Sequence, residues 1–312
     1  MILSVNPEFG VELALAVPYA YWLHKNNLLE AVETSKGMKP FYYFCKNVKE
    51  KFSERSLDNI RALPGVPNVW IHHNSIAITG KDYSFLTDEE KESVNGVLDY
   101  SQWECPPYKE FYKNSEYKIS NKMAFVTNKF NIEHGEPPMG YFDIECLIKI
   151  FSILKDKGYI VIYKRAKNTE PDFALDSNES NSLSCGYKDI VAELNGVVIT
   201  DYELTKYFSN VILLDDLIDD GKSYNETQLK ILANCQSYVS VCGGNSILSC
   251  LFGGNVISYV HKGKELRPNY FGKNSYFRKL AGANIFPVKD EQVMTSGKHD
   301  YTELYNQIEK QL

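Results

Sequence analysis

Residues 238–246 read Tyr238-Val239-Ser240-Val241-Cys242-Gly243-Gly244-Asn245-Ser246, an apolar run that reaches two glycines before a helix opens. The run predicts a buried strand. Glycines let the backbone turn tightly and approach a ligand closely. The first N–H groups of a helix carry partial positive charge that suits a phosphate. Asn245 or Ser246 stands where a helix cap, or a donor to that phosphate, is expected. The stretch is neither a GxGxxG fingerprint nor a P-loop, since no Gly-Lys-Ser/Thr follows. A plain strand-to-helix turn would read the same way. Either way it marks one βα unit of a parallel sheet.

Working outward, the same alternation recurs. After Gly253-Gly254 comes the apolar run Val256 to Val260, and Tyr301 to Leu312 predicts a closing helix. Upstream lie strand candidates at Val211–Leu214, Val197–Thr200, Tyr159–Tyr163, Met123–Thr127, Val69–Ile71, Phe41–Cys45 and Ile2–Val5. Between them, Ile144, Leu147, Ile148, Phe151 and Leu154 form one helical face that stops at Gly158. Asn225 with Gln228, and Thr87 with Glu90, read as capping boxes. Asn6 as cap and Pro7 as first helical residue predict a helix through Leu13, Tyr19 and Leu23, kinked at Pro18. Residues 169–186 read as a polar loop. Strands separated by helices predict an α/β chain with parallel sheets. No eightfold repeat supports a barrel, so two Rossmann-type halves facing across a cleft are expected, 1–140 and 141–312.

Composition narrows the function. The chain has 312 residues and a formal net charge of −6, so it lacks the basic surplus that nucleic-acid binding needs. No segment is long and apolar enough to span a bilayer. The first residues show no basic n-region and read as a strand rather than a signal peptide. The 7 cysteines form no CxxC pair, which argues against a zinc or redox motif. Their apolar contexts suggest a reducing compartment, hence a cytoplasmic location.

Several residues are placed to handle an anionic ligand. Tyr159 to Arg165 is an apolar strand ending in Lys164-Arg165, and only one of the two can face the cleft if the strand alternates. Arg165 is the expected partner, because guanidinium matches phosphate bidentately. Lys129, after the strand Met123–Thr127, adds a cation. Glu8 and Glu133 are the candidate general bases, and Glu265 is a candidate for ribose hydroxyls. His72-His73 lacks the spacing of a metal site. Each has a plainer reading as a solvated loop or strand end.

Taken together these residues resemble a GT-B glycosyltransferase, with Gly10 to Leu23 similar to the first helix of the fucosyltransferase-like members. Those members carry a His-x-Arg-Arg-x-Asp loop in the donor half, where this chain has Tyr163-Lys164-Arg165-Ala166-Lys167-Asn168. Only Arg165 matches, and the resemblance implies that it binds the donor diphosphate. It further implies a metal-independent transfer of sugar from a nucleoside diphosphate sugar to a glycan or other hydroxyl acceptor, with no cofactor. The donor would be held by Lys129, Arg165, Gly243, Gly244, Asn245, Ser246 and Glu265, and the base would be Glu8 or Glu133. Asp215-Asp216 resembles the metal-holding acid pair of the other glycosyltransferase architecture, and reads more simply as a solvated loop. Two other readings fit the same pattern: a non-catalytic nucleotide- or glycan-binding protein, and a nucleotide-sugar epimerase or pyruvyl transferase.

Overall fold

Short runs of branched and aromatic residues become strands wherever a helix covers them, and the chain builds two parallel sheets this way. The computed structural model describes residues 1–56, 81, 85–90, 101–130, 138, 140–165, 190–219, 221–260, 271, 276–290 and 297–312.

The first sheet is β1 (Ile2–Ser4), β2 (Ala31–Ser35) and β3 (Val48–Phe52), in that order and all parallel. Between β1 and β2 runs helix α1, made of Phe9–Val11, a π-helical turn Glu12–Ala16, and Val17–Lys25. The π turn comes just before Pro18. Pro18 has no N–H to offer one turn back, and the register widens just before it. The helix starts later than Asn6 predicts. Asn6 Nδ2 donates to the Glu54 carbonyl at 2.9 Å and Arg55 Nη1 to the Pro7 carbonyl at 2.5 Å, so residues 6–8 stay a loop. Phe41–Cys45 is not a strand. Lys39–Tyr42 is a 3₁₀ turn that buries Phe41 and Tyr42 against α1.

Among the described residues the second sheet holds six parallel strands in the order β11-β10-β9-β4-β5-β8. They are β4 (Met123–Asn128), β5 (Ile160–Arg165), β8 (Val211–Leu213), β9 (Ser237–Val241), β10 (Asn255–Val260) and β11 (Asn284–Lys289). In order of appearance this is 6-5-4-1-2-3, the doubly wound arrangement, whose order reverses between β4 and β9. The sequence expectation of a mixed α/β chain with parallel sheets holds. The expected division at residue 140 does not coincide with the division between the sheets, because β4 is a central strand of the second one.

Two further strands, β6 (Val191–Leu194) and β7 (Val197–Thr200), form a separate antiparallel hairpin. It turns at Asn195 and Gly196, both at positive φ (53° and 80°), the geometry of a two-residue hairpin loop.

Helices cover both faces of the large sheet. On one lie α3 (Ile144–Asp156), capped by Asp143, and α8 (Thr302–Gln311). Their apolar faces pack with Val126, Val161, Tyr163, Val239 and Ile257. On the other lie α5 (Tyr224–Asn234) and α6 (Gly244–Cys250). Here Met123, Phe125, Ile162, Tyr238 and Val256 share one core with Leu3, Val5, Phe9 and Leu13 of the first sheet. The face toward α5 and α6 is therefore also the face toward the first sheet and α1. The cap of α5 is Ser223, whose hydroxyl accepts from Glu226 N, rather than Asn225; the Asn225 amide instead donates to the Gly37 carbonyl at 2.8 Å. The Thr87–Glu90 capping box forms as expected, with both reciprocal hydrogen bonds made. Val69–Ile71, His72-His73 and 169–186 lie outside the described residues. Cys146, Cys235, Cys242 and Cys250 are buried, and burial pushes the Cys235 thiol up to about 12, so these behave as small apolar residues.

At the carboxyl ends of β10 and β11, Tyr259 OH donates to Asp290 Oδ2 at 2.6 Å and lies 2.8 Å from His299 Nδ1. Burial lowers the His299 pKa below its ordinary value of 6.5, against the opposing pull of Asp143 and Asp290. As pH falls the unfolded chain takes the proton first, so this contribution to stability is present above the unfolded pKa and is lost on acidification. Between about pH 8 and about pH 5 the urea midpoint is expected to fall more for the parent than for His299→Gln. Equal falls would remove His299 as a source of acid sensitivity.

Candidate functional site

Doubly wound sheets bind ligands outside the carboxyl ends of their strands, where the strand order reverses. Here that point lies between β4 and β9, and the sequence places Asn128-Lys129 on one side and Cys242-Gly243-Gly244 on the other. Asn128 is fully buried. Its Oδ1 accepts from Lys129 N and Phe142 N at 2.9 Å each, and its Nδ2 donates to the Phe142 carbonyl at 2.8 Å. These bonds fix the turn after β4. Lys129 Nζ then lies 3.5 Å from the point where a Cβ on Gly243 would stand.

Gly243 has φ 130° and ψ −164°, a conformation that only glycine adopts without strain, and it is the N-cap of α6. Its carbonyl accepts from Ser246 N at 3.1 Å, Ile247 N at 3.2 Å and Ser246 Oγ at 2.8 Å. This corrects one expectation: Ser246 is buried with its hydroxyl turned onto Gly243, and neither it nor Asn245 caps the helix. Gly243, Gly244 and Asn245 remain partly exposed.

The first sheet brings Glu8 to the same place. Glu8 follows β1 and is partly exposed. A Cβ on Gly10 would lie 3.5 Å from Glu8 Oε1 and 3.3 Å from Gly244 Cα, so the Glu8 carboxylate and the Gly244 backbone both flank Gly10. Glycines at 10 and 244 let the starts of α1 and α6 touch. The Glu8 loop is clamped from behind. Arg55 Nη1 bridges the Pro7 carbonyl and Glu12 Oε2 at 2.7 Å, and its guanidinium lies 5.6 Å from the Phe9 ring centroid. Ser56 N donates to the Asn6 carbonyl at 2.6 Å. Glu12 is fully buried and also accepts from the hydroxyls of Thr34 and Tyr42. Sequence reasoning missed this clamp, because a lone Arg55 carries no local signal.

Arg165 requires a correction. It shares a face with Val161 and Tyr163, the face covered by α3 and by α4 (Asp201–Thr205). Its Nε lies 3.3 Å from Asp201 Oδ2 and its guanidinium 4.6 Å from the Tyr202 ring centroid. Tyr163 OH donates to the same Asp201 oxygen at 2.8 Å. Arg165 thus belongs to a buried ion pair on the side of the sheet away from the glycine turn. Lys164 has the opposite orientation, toward α5.

Of the expected site residues, Glu8, Lys129, Gly243, Gly244 and Asn245 come together, with Ser246 beneath them. Glu133 and Glu265 lie outside the described residues. Asp215 and Asp216 are exposed on the 3₁₀ turn Asp215–Leu217. Among the described residues no group of three His, Cys, Asp or Glu could hold a metal ion, and no helix is long and apolar enough to cross a membrane.

No protein-family model and no curated protein matches the sequence. Among solved structures the chain is similar to a glycosyltransferase of family 9 from Veillonella parvula DSM 2008, with a TM-score of 0.49 and 10% identity over 99% of this chain and 95% of that one. It is also similar to the iron-containing dodecameric glycosyltransferase TibC from enterotoxigenic E. coli H10407, with a TM-score of 0.40 and 12% identity over 83% of this chain. The matched region spans 57% of the TibC chain.

Proposed function

We propose that the chain is a glycosyltransferase of GT-B type, which moves a sugar from a nucleoside diphosphate sugar to a hydroxyl acceptor without a metal. The donor half is the six-stranded sheet, taken from β4 onward, and the acceptor side is the three-stranded sheet with α1. The observation that supports this most is the meeting of Lys129 and the Gly243-Gly244 turn at the strand-order reversal, with Gly10 of the other sheet's helix packed on Gly244 and the Glu8 carboxylate flanking Gly10. Such a crevice offers a cation and close backbone approach for a diphosphate, and a carboxylate on the side from which an acceptor would come.

In the reaction, Glu8 takes the proton of the acceptor hydroxyl as its oxygen attacks the anomeric carbon. The bond from that carbon to the diphosphate oxygen breaks, and Lys129 with the turn's backbone stabilises the departing charge. Attack opposite the leaving group inverts the anomeric centre. Glu133 remains a second candidate base.

The test begins with UDP, GDP, ADP and the corresponding nucleotide sugars in thermal unfolding. A ligand at 100 times its dissociation constant stabilises by about 2.7 kcal/mol. One of them is expected to raise the melting temperature of the parent and not of Lys129→Gln. Glu8→Gln is expected to keep that shift and lose release of nucleoside diphosphate from the sugar nucleotide, an activity expected to persist in EDTA. Absence of any nucleotide shift sinks the reading. A shift with no turnover, unaffected by Glu8→Gln, favours a non-catalytic binding protein.

A further inference from the structure

The side of β5 that faces the first sheet carries a lysine that the site as described does not use. Along β5, Ile160 and Ile162 pack in the core shared with the first sheet, and Lys164 continues their alternation. Strand register carries this level across the sheet. Lys164 is opposite Thr127, Thr127 opposite Ser240, and Ser240 opposite Ser258. Four polar side chains therefore lie in one row on one face, directly above the apolar layer of Ile162, Phe125, Tyr238 and Val256. All four are buried.

The row is incompletely satisfied. Thr127 Oγ1 donates to Ser240 Oγ at 2.7 Å, and Ser240 Oγ to the Val241 carbonyl at 2.7 Å. Ser258 Oγ meets no hydrogen-bond partner among the described residues. At the other end, Lys164 Nζ donates to Gln228 Oε1 at 2.6 Å and lies 5.0 Å from the Tyr224 ring centroid. Gln228 is fully buried, and its Nε2 also meets no partner among the described residues. A buried amide donor of this kind points to a ligand or water that completes it.

Lys129 follows the neighbouring strand, two positions beyond Thr127, the residue opposite Lys164. Both lysines stand at the carboxyl ends of adjacent strands, Lys129 Nζ beside Gly243 and Lys164 on the face that meets the first sheet.

We infer that Lys164 and Gln228 form a second anion position, which takes the second phosphate of a nucleoside diphosphate whose first phosphate is held at Lys129 and the glycine turn. This rests on reading the crevice as a nucleotide site. The Lys164 ammonium and the Gln228 amide both donate to that phosphate. Selectivity for diphosphate over monophosphate then belongs to Lys164, and Arg165 has no part in it.

Calorimetric titration with UDP and UMP, GDP and GMP, and ADP and AMP tests the assignment. For whichever base binds, the parent is expected to prefer the diphosphate. Lys164→Met keeps the stem packed on Tyr224 and removes the charge. It is expected to weaken diphosphate binding about ten- to hundredfold, the effect of one hydrogen bond to a charged group, with monophosphate binding unchanged. Should that variant fail to fold, Gln228→Glu sets an acid against the ammonium and is expected to erase the same preference. A diphosphate preference that survives in the folded variant overturns the inference, as does an equal loss for both ligands. Absence of nucleotide binding by the parent instead overturns the reading on which it rests.

Discussion

Arg165→Met is expected to destabilise the fold by about 3–5 kcal/mol, the cost of removing one member of a buried ion pair, while leaving nucleotide affinity unchanged. The side chains of Arg165 and Asp201 are 2% and 0% exposed, so neither charge is relieved by water when its partner goes. Asp201 Oδ2 keeps the hydrogen bond from Tyr163 OH but loses the guanidinium charge that its burial requires. Adding Asp201→Asn to Arg165→Met removes the buried negative charge and is expected to recover part of the loss. Urea denaturation of the two single variants and the double variant, beside titration with nucleoside diphosphate, checks both halves of the claim. A stable Arg165→Met protein with weakened nucleotide binding would return Arg165 to the ligand, as its likeness to the fucosyltransferase loop implies.

The same residue shows how far sequence reading reaches. Alternation along β5 establishes that Lys164 and Arg165 face opposite sides, and it is silent on which side holds the crevice. That depends on which helices cover each face, and hence on long-range packing. Chemistry favoured the guanidinium for a phosphate, and the buried Asp201 claimed it. The glycine turn, Lys129 and Glu8 were legible because each follows a strand at its carboxyl end, and parallel sheets gather such ends. The six-stranded order itself was not legible, since β4 sits centrally although it precedes the expected boundary. β3 escaped notice because it is a short edge strand reading Val-Lys-Glu-Lys-Phe, with little apolar content. For β6 the signal was present: Asn195-Gly196 flanked by Leu194 and Val197 is a hairpin signature. The late start of α1 had no local cause at all, because Arg55 and Glu54 hold residues 6–7 from 48 positions away.

Gly244→Val is the second large effect, and its origin is packing between the two sheets' helices. A Cβ at 244 would lie 2.7 Å from Phe9 Cδ1 and 3.5 Å from Gly10 N. Phe9 has little room to move. Its ring meets Phe41 edge-on at 5.7 Å and is flanked by the Arg55 guanidinium. Valine adds two methyl groups to a contact already closed, and overpacking of this kind costs about 1–3 kcal/mol. The gain in helix propensity over glycine, a few tenths of a kcal/mol, offsets little of it. The start of α1 must retreat, carrying Glu8 away from the turn, so nucleotide binding and turnover are expected to fall together. Gly10→Ala is the milder companion, since its Cβ meets Ile247 Cδ1 at 3.1 Å and Gly244 Cα at 3.3 Å, neither as close as the 2.7 Å contact at 244. Gly243→Ala probes the ligand side instead. Among the described residues its Cβ has only Lys129 Nζ nearby, at 3.5 Å, but its backbone is strained, by about 1–3 kcal/mol. Thermal unfolding and nucleotide titration of the three variants separate these causes. Gly244→Val and Gly10→Ala should loosen the contact between the sheets in graded order, whereas Gly243→Ala should lower affinity at an intact contact. A Gly244→Val protein with parental stability and parental binding would show that the Gly10–Gly244 approach does not hold Glu8 in place.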